Sequence, residues 1–126
     1  MKKKFAAAIN CMDGRVQIPV IQYITKKYHV KYVDMITEAG PNKILAENKD
    51  SETVDSIKKR VEISIDKHDS DLVAIVGHYD CAGNPVDEEK QIEDIKLAIK
   101  TVEAWNLDVK IIGLYVNEKW SVKKIC

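Results

Sequence analysis

Short, unbroken apolar runs alternate along this chain with stretches whose apolar residues recur every three or four positions, and that alternation constrains the fold more than any other feature. The runs KFAAAIN, DLVAIVGH and DVKIIGLYV are each of strand length and read as buried strands, with VKYVDMI a weaker example. Between them, Val20, Ile21, Ile24 and Tyr28 share one helical face, with Pro19 in the first turn where its missing N–H does no harm. Val54, Ile57, Val61 and Ile65 form a second such stripe. Ile92, Ile95, Ile99 and Val102 form a third that runs on to Trp105, with Asp87 and Glu88 in its favourable first turn. The order is strand, helix, strand, helix, strand, helix, strand, and the tail NEKWSVKKIC is unassigned. Crossovers of this length return each strand parallel to the last. The expectation is an α/β fold, an open and mainly parallel sheet of about four to five strands with helices on both faces. A chain of 126 residues with no repeat or proline-rich linker suits one domain, 1–126.

Ligands of such sheets bind beyond the carboxyl ends of the strands, where strand order reverses. Cys11 follows the first strand, and His78 and Cys81 follow the third. Two thiolates and an imidazole are an accepted ligand set for a catalytic zinc ion that keeps its fourth position open. Asp13 and Arg15 stand two and four residues beyond Cys11. If the backbone there stays extended, all three side chains face one cleft. A carboxylate beside a zinc-bound water orients it, and a guanidinium fork restrains the carboxylate from swinging onto the metal. Two thiolates neutralise the charge of the ion, so activity should favour alkaline conditions.

Charge and cysteine content exclude other classes. Lysine plus arginine and aspartate plus glutamate number 20 each, which provides no excess for a nucleic acid or an anionic membrane. The opening MKKKFAAAI imitates the start of a secretory leader, but Asn10 and Asp13 end its apolar run early, and no segment suits a bilayer. Three cysteines without a leader point to free, metal-bound or reactive thiols in a reducing cytoplasm.

CMDGR and the later GHYDC resemble the Cys-x-Asp-x-Arg and His-x-x-Cys zinc motifs of the β-class carbonic anhydrases. ITEAGPN is similar to the Arg-Asn-Ala-Gly loop of that family, keeping Ala39 and Gly40 but with Thr37 and Glu38 in the first two places. The resemblance spans roughly residues 5 to 116. It implies an α/β fold, Cys11, His78 and Cys81 as zinc ligands, Asp13 and Arg15 as the catalytic dyad, and reversible hydration of carbon dioxide to bicarbonate by zinc-bound hydroxide. Gly14 and Ala82 stand where family members usually carry serine and glycine. Cys11 lies so near the start that the family's N-terminal helices, which wrap a neighbouring subunit, are not expected, so the resemblance is to a compact, divergent member whose pocket should be open or differently built.

Other readings compete. The chain could be a structural or sensory zinc module whose fourth position is filled, a hydrolase of carbon disulfide or carbonyl sulfide, or an enzyme using Cys11 as a metal-free nucleophile. Asp80 reads as a solvated or loop-capping carboxylate, Glu38 as a rim charge, and His29 and His68 as helix-end residues. Gly40, Gly77 and Gly83 read as turn glycines that let backbone approach the site. Met12 and Tyr79 are candidates for pocket walls, and Cys126 for an exposed thiol. So small a chain should close its pocket by association, as a homodimer or higher homo-oligomer.

Overall fold

The computed structural model describes residues 4–126; Met1, Lys2 and Lys3, part of the leader-like opening, lie outside the described residues. The elements run β1 (Phe5–Cys11), a 3₁₀ turn (Gly14–Val16), α1 (Gln17–Tyr28), β2 (Tyr32–Glu38), α2 (Pro41–Glu47), α3 (Ser51–His68), β3 (Leu72–His78), α4 (Glu88–Glu103), β4 (Lys110–Val116) and β5 (Val122–Lys124). The sheet order is β2-β1-β3-β4-β5, parallel throughout except for the antiparallel β5. The expected α/β sheet with helices on both faces is therefore the observed one. Two elements were not foreseen. Residues read as loop after Gly40 form α2, and the unassigned tail supplies β5.

The chain leaves β1 for β2 on one side and returns to place β3 on the other, so strand order reverses between β1 and β3. Ala6, Ala7 and Ala8 in β1 have no exposure. Small side chains in a central strand let both helical layers approach closely. Val16, Val20 and Ile24 pack from the α1 side on Ala6, Ala8, Ala74 and Leu114. Leu45, Val54, Ile57, Val61, Ala98 and Val102 pack from α2, α3 and α4 on Ala7, Ile9, Val73 and Ile75. Burying each such aliphatic side chain contributes about 1.5–3 kcal/mol before chain entropy is subtracted. Two stripe residues depart from expectation: Ile21 is 36% exposed, with Tyr23 packed on the core in its place, and Ile92 is half-buried outside both clusters.

The helix ends are capped as charge and hydrogen bonding require. Asp50 accepts from the Thr53 N–H at the start of α3, and Asp87 accepts from the Lys90 N–H at the start of α4. His29 closes α1 in the left-handed conformation, and His68 at the end of α3 pairs with Asp34 at 2.7 Å. Among the described residues, no helix is long and apolar enough to cross a membrane.

Candidate metal centre

β1 ends at Cys11 and β3 at His78, and the two strands are direct neighbours in the sheet. Cys81 follows three residues after His78 on a turn whose middle residue, Asp80, has φ 59°. A left-handed φ is tolerated by aspartate and reverses the chain sharply enough to bring the second sulfur back over the strand end. The three ligand atoms of Cys11, His78 and Cys81 lie within 4.8 Å of one another, and all three residues are buried. The two Sγ atoms are 3.9 Å apart. Zinc–sulfur bonds of about 2.3 Å in a tetrahedron place two sulfurs about 3.8 Å apart, so the spacing fits that ion.

The histidine is oriented for the same purpose. Its Nδ1 lies 2.7 Å from the Tyr79 carbonyl oxygen, which only accepts, so the proton sits on Nδ1 and the lone pair on Nε2. Nε2 is, among the described residues, the one buried side-chain nitrogen or oxygen without a hydrogen-bond partner. A buried acceptor left unpaired costs about 1–3 kcal/mol, and a cation between Nε2 and the two sulfurs removes that cost. These residues fit a zinc ion.

Two sulfurs this close cannot both be thiolates unless a cation separates them. In the pair, the Cys81 contact holds the Cys11 thiol down against its burial, and the same contact together with burial pushes the Cys81 thiol up. Backbone N–H groups of Gly40 and Asp13 favour the Cys11 thiolate, and those of Gly83 and Asn84 favour that of Cys81. The loops supplying them touch: a Cβ on Gly83 would lie 2.3 Å from the Ala39 carbonyl carbon, and one on Gly40, at φ 65°, 2.7 Å from the Gly83 carbonyl carbon. Burial opposes protonation of His78, but the Cys11 sulfur and the Tyr79 carbonyl outweigh it, so its pKa is raised. The site draws positive charge.

Asp13 and Arg15 meet, though not as an extended segment. The strand stops at Cys11, and Asp13 caps the 3₁₀ turn, its Oδ1 accepting from the Arg15 N–H at 2.9 Å. The turn folds Arg15 back, so that Nε and one Nη grip Oδ1 and Oδ2 at 3.1 and 2.7 Å. This fork holds the Asp13 carboxyl at about 2. Gln17 at the head of α1 donates to the carbonyls of Cys11 and Asp13 at 2.7 and 2.9 Å, fixing the turn from behind. Asp80 is not simply solvated: its Oδ2 and carbonyl accept from Arg15 at 3.3 and 3.1 Å. Glu38 pairs with Arg60 of α3, and its backbone oxygen accepts from Met12 N–H at 2.8 Å. Met12 is 65% exposed and lines no wall of the cleft beside Cys81, whereas Tyr79, half exposed, does line it. Cys126 is exposed.

Sequence reasoning missed a buried polar network behind the histidine. Gln91 of α4 has no exposure; its Oε1 accepts from the His78 N–H at 3.2 Å and from Asn42 Nδ2 at 2.8 Å. Its Nε2 donates to the Asn84 carbonyl at 2.8 Å. Asn84 Nδ2 donates in turn to Asp94, which Lys90 neutralises at 2.9 Å. Gln91 thus ties the end of β3 to the far side of the Cys81 loop. The available signal was Gln91 and Asp94, two polar residues on the stripe that carries Ile95, Ala98 and Val102 into the core. Beside Cys81 opens a cleft of about 420 Å³ lined also by Tyr79, Val86 and Tyr115 and rimmed by Asp80, Asp87, Glu88 and Glu118. Burial, with the nearby charges of Glu88, Glu118 and Asp87, pushes the Tyr115 hydroxyl up to about 12.

No curated protein sequence matches the chain. Its fold is similar to that of the carbonic anhydrase from Glaciozyma antarctica, with a TM-score of 0.61 at 19% identity, over 95% of this chain and 81% of that one. It is equally similar to the β-carbonic anhydrase CcaA, with a TM-score of 0.61 at 14% identity, over 98% of this chain and 80% of that one. At these identities the likeness is one of fold. A family model described as "Putative carbonic anhydrase" matches residues 1–126, and the chain belongs to that family.

Proposed function

We propose that the chain is a zinc-dependent carbonic anhydrase, a lyase that reversibly hydrates carbon dioxide to bicarbonate. The observation that carries this reading is the convergence of Cys11, His78 and Cys81 on one point, with the unpaired His78 Nε2 aimed into it. When bound, zinc supplies the Lewis acidity that makes water a nucleophile near neutral pH. Cys11, His78 and Cys81 would hold the ion, leaving a fourth position open. Asp13, gripped through both oxygens by Arg15, is kept as a hydrogen-bond acceptor that orients the nucleophile. The acidic rim of the adjacent cleft suits a neutral substrate entering and an anionic product leaving. A homodimer in the cytoplasm is the setting we infer.

The test combines metal analysis of the purified chain with a carbon dioxide hydration assay across about pH 7–9. The reading requires one zinc per chain and activity that rises toward the alkaline end. Stoichiometric zinc without hydration activity, and without turnover of carbon disulfide or carbonyl sulfide, would leave a non-catalytic zinc module.

A further inference from the structure

Arg15 is held on more sides than its pairing with Asp13 requires. Nε and Nη2 face Asp13, while Nη1 and Nη2 also donate to the Oδ2 and the carbonyl oxygen of Asp80. The guanidinium carbon lies 4.5 Å from the centre of the Trp120 ring, so its flat face is covered as well. Trp120 sits in the turn between β4 and β5 at φ 59°, a conformation that a bulky side chain rarely adopts. The turn imposes it. Trp120 N–H donates to the Asn117 carbonyl at 2.9 Å, and Asn117 Oδ1 accepts from the N–H groups of Lys119 and Ser121 at 2.9 and 3.1 Å. Backbone held away from its preferred region by surrounding bonds is common where a side chain must be aimed.

Each contact removes one freedom of the guanidinium. The fork to Asp13 fixes its edge, Asp80 fixes its rotation in the plane, and Trp120 fixes the plane itself. An immobilised guanidinium immobilises the carboxylate it grips. Because Asp13 lies beyond Cys11, and Asp80 lies between His78 and Cys81, the same guanidinium also ties together the two loops that carry the ligand residues. We propose that Trp120 and Asp80 are positioning residues that act through Arg15, keeping Asp13 beside the open coordination position and off the metal. This rests on the zinc-site reading. It assigns to the turn before β5 a part in keeping the site open.

The test uses the full chain loaded with cobalt(II), whose visible spectrum reports both uptake of the metal and the entry of an added anion such as thiocyanate at an open position. The wild-type chain and Trp120→Phe, which keeps a ring face, should take up one cobalt and respond to thiocyanate over the same range. Trp120→Leu should still take up one cobalt but need about 10-fold more thiocyanate, the scale of effect expected when a partner of a metal-site residue is lost. Asp80→Asn, at an exposed position that asparagine tolerates at positive φ, should shift the same titration in the same direction without altering folding. Wild-type thiocyanate response in both Trp120→Leu and Asp80→Asn would overturn the proposal, and so would failure of Asp80→Asn to shift the titration if Trp120→Leu does not fold. A wild-type chain that takes up no cobalt would overturn the zinc-site reading itself, which is a different result from a loaded wild type whose variants behave like it.

Discussion

The sulfurs of Cys11 and Cys81 belong to residues 70 positions apart in sequence and lie 3.9 Å apart in the fold. Parallel pairing of β1 with β3 brings the loops together, and the reversal at Asp80 completes the approach. Both cysteines also pack in one apolar cluster, but packing alone leaves the buried His78 Nε2 beside them without a partner. Replacing Cys81 by serine removes one sulfur from the proposed set of three. We expect bound zinc to fall well below one per chain and thermal stability to fall with it, because binding energy at such a site is also folding energy. Metal analysis and a melting curve on the same sample check this, and unchanged values for both would remove Cys81 from the site.

The fork between Arg15 and Asp13 is planar and double. A lysine at position 15 keeps the charge but presents one point rather than two parallel donors. Arg15→Lys should therefore retain zinc while hydration activity drops by about 10- to 100-fold. Loss of zinc in parallel with activity would instead make Arg15 a purely structural tie.

The same fork sets an acid limit. The Asp13 carboxyl is held at about 2 in the fold by its hydrogen bonds to Arg15, below its ordinary value of about 3.9. A folded pKa below the unfolded one means that the pair stabilises fully above about pH 4 and loses that contribution as pH falls through about 2. In chelator, stability measured between about pH 5 and 2 should fall less steeply for Asp13→Asn than for the wild type. The pair is part-exposed, so the difference should be small, and identical slopes would contradict it.

Gln91 carries the buried bonds that fix the backbone of His78. Leucine has similar bulk but leaves the His78 N–H, the Asn42 amide and the Asn84 carbonyl without that partner. Gln91→Leu should cost about 1–3 kcal/mol in denaturant unfolding and weaken zinc binding together with it. An unchanged midpoint would show that the network is dispensable.

Two glycines of this region should differ in their tolerance of a side chain. Gly83→Ala drives a methyl group into the Ala39 carbonyl and parts the loops whose N–H groups face the sulfurs, so melting temperature and zinc content should both drop. Gly14 has nothing within 4 Å of its would-be Cβ, and Gly14→Ser should leave stability within about 0.5 kcal/mol.

The strands were legible because β1, β3 and β4 are buried on both faces and therefore read as continuous apolar runs, and the clustering of Cys11, His78 and Cys81 was legible because both motifs stand at strand ends. What stayed hidden did so for physical reasons. α2 is a single short helix of 7 residues opening on Gly40 and Pro41, which read as a turn, and its fixing comes from burial of Asn42 and Leu45 rather than from its own propensity. β5 is a 3-residue edge strand with two exposed lysines, so it carries no apolar run. The Asp13 to Arg15 fork is read from the sequence on an extended segment, and what that reading misses is the 3₁₀ turn capped by Asp13 itself, a local hydrogen bond that periodicity does not record. Trp120 meets Arg15 only through tertiary packing of the terminal hairpin.

In the proposed centre, two sulfurs and one imidazole nitrogen bind a single zinc ion and leave one position open. X-ray absorption at the zinc edge of the purified chain tests it directly. The expected shell is two sulfur neighbours at about 2.3 Å, one imidazole nitrogen at about 2.0–2.1 Å and one further light atom that is exchanged when an anion is added. A shell without sulfur, or a fourth neighbour that no added anion displaces, would contradict it.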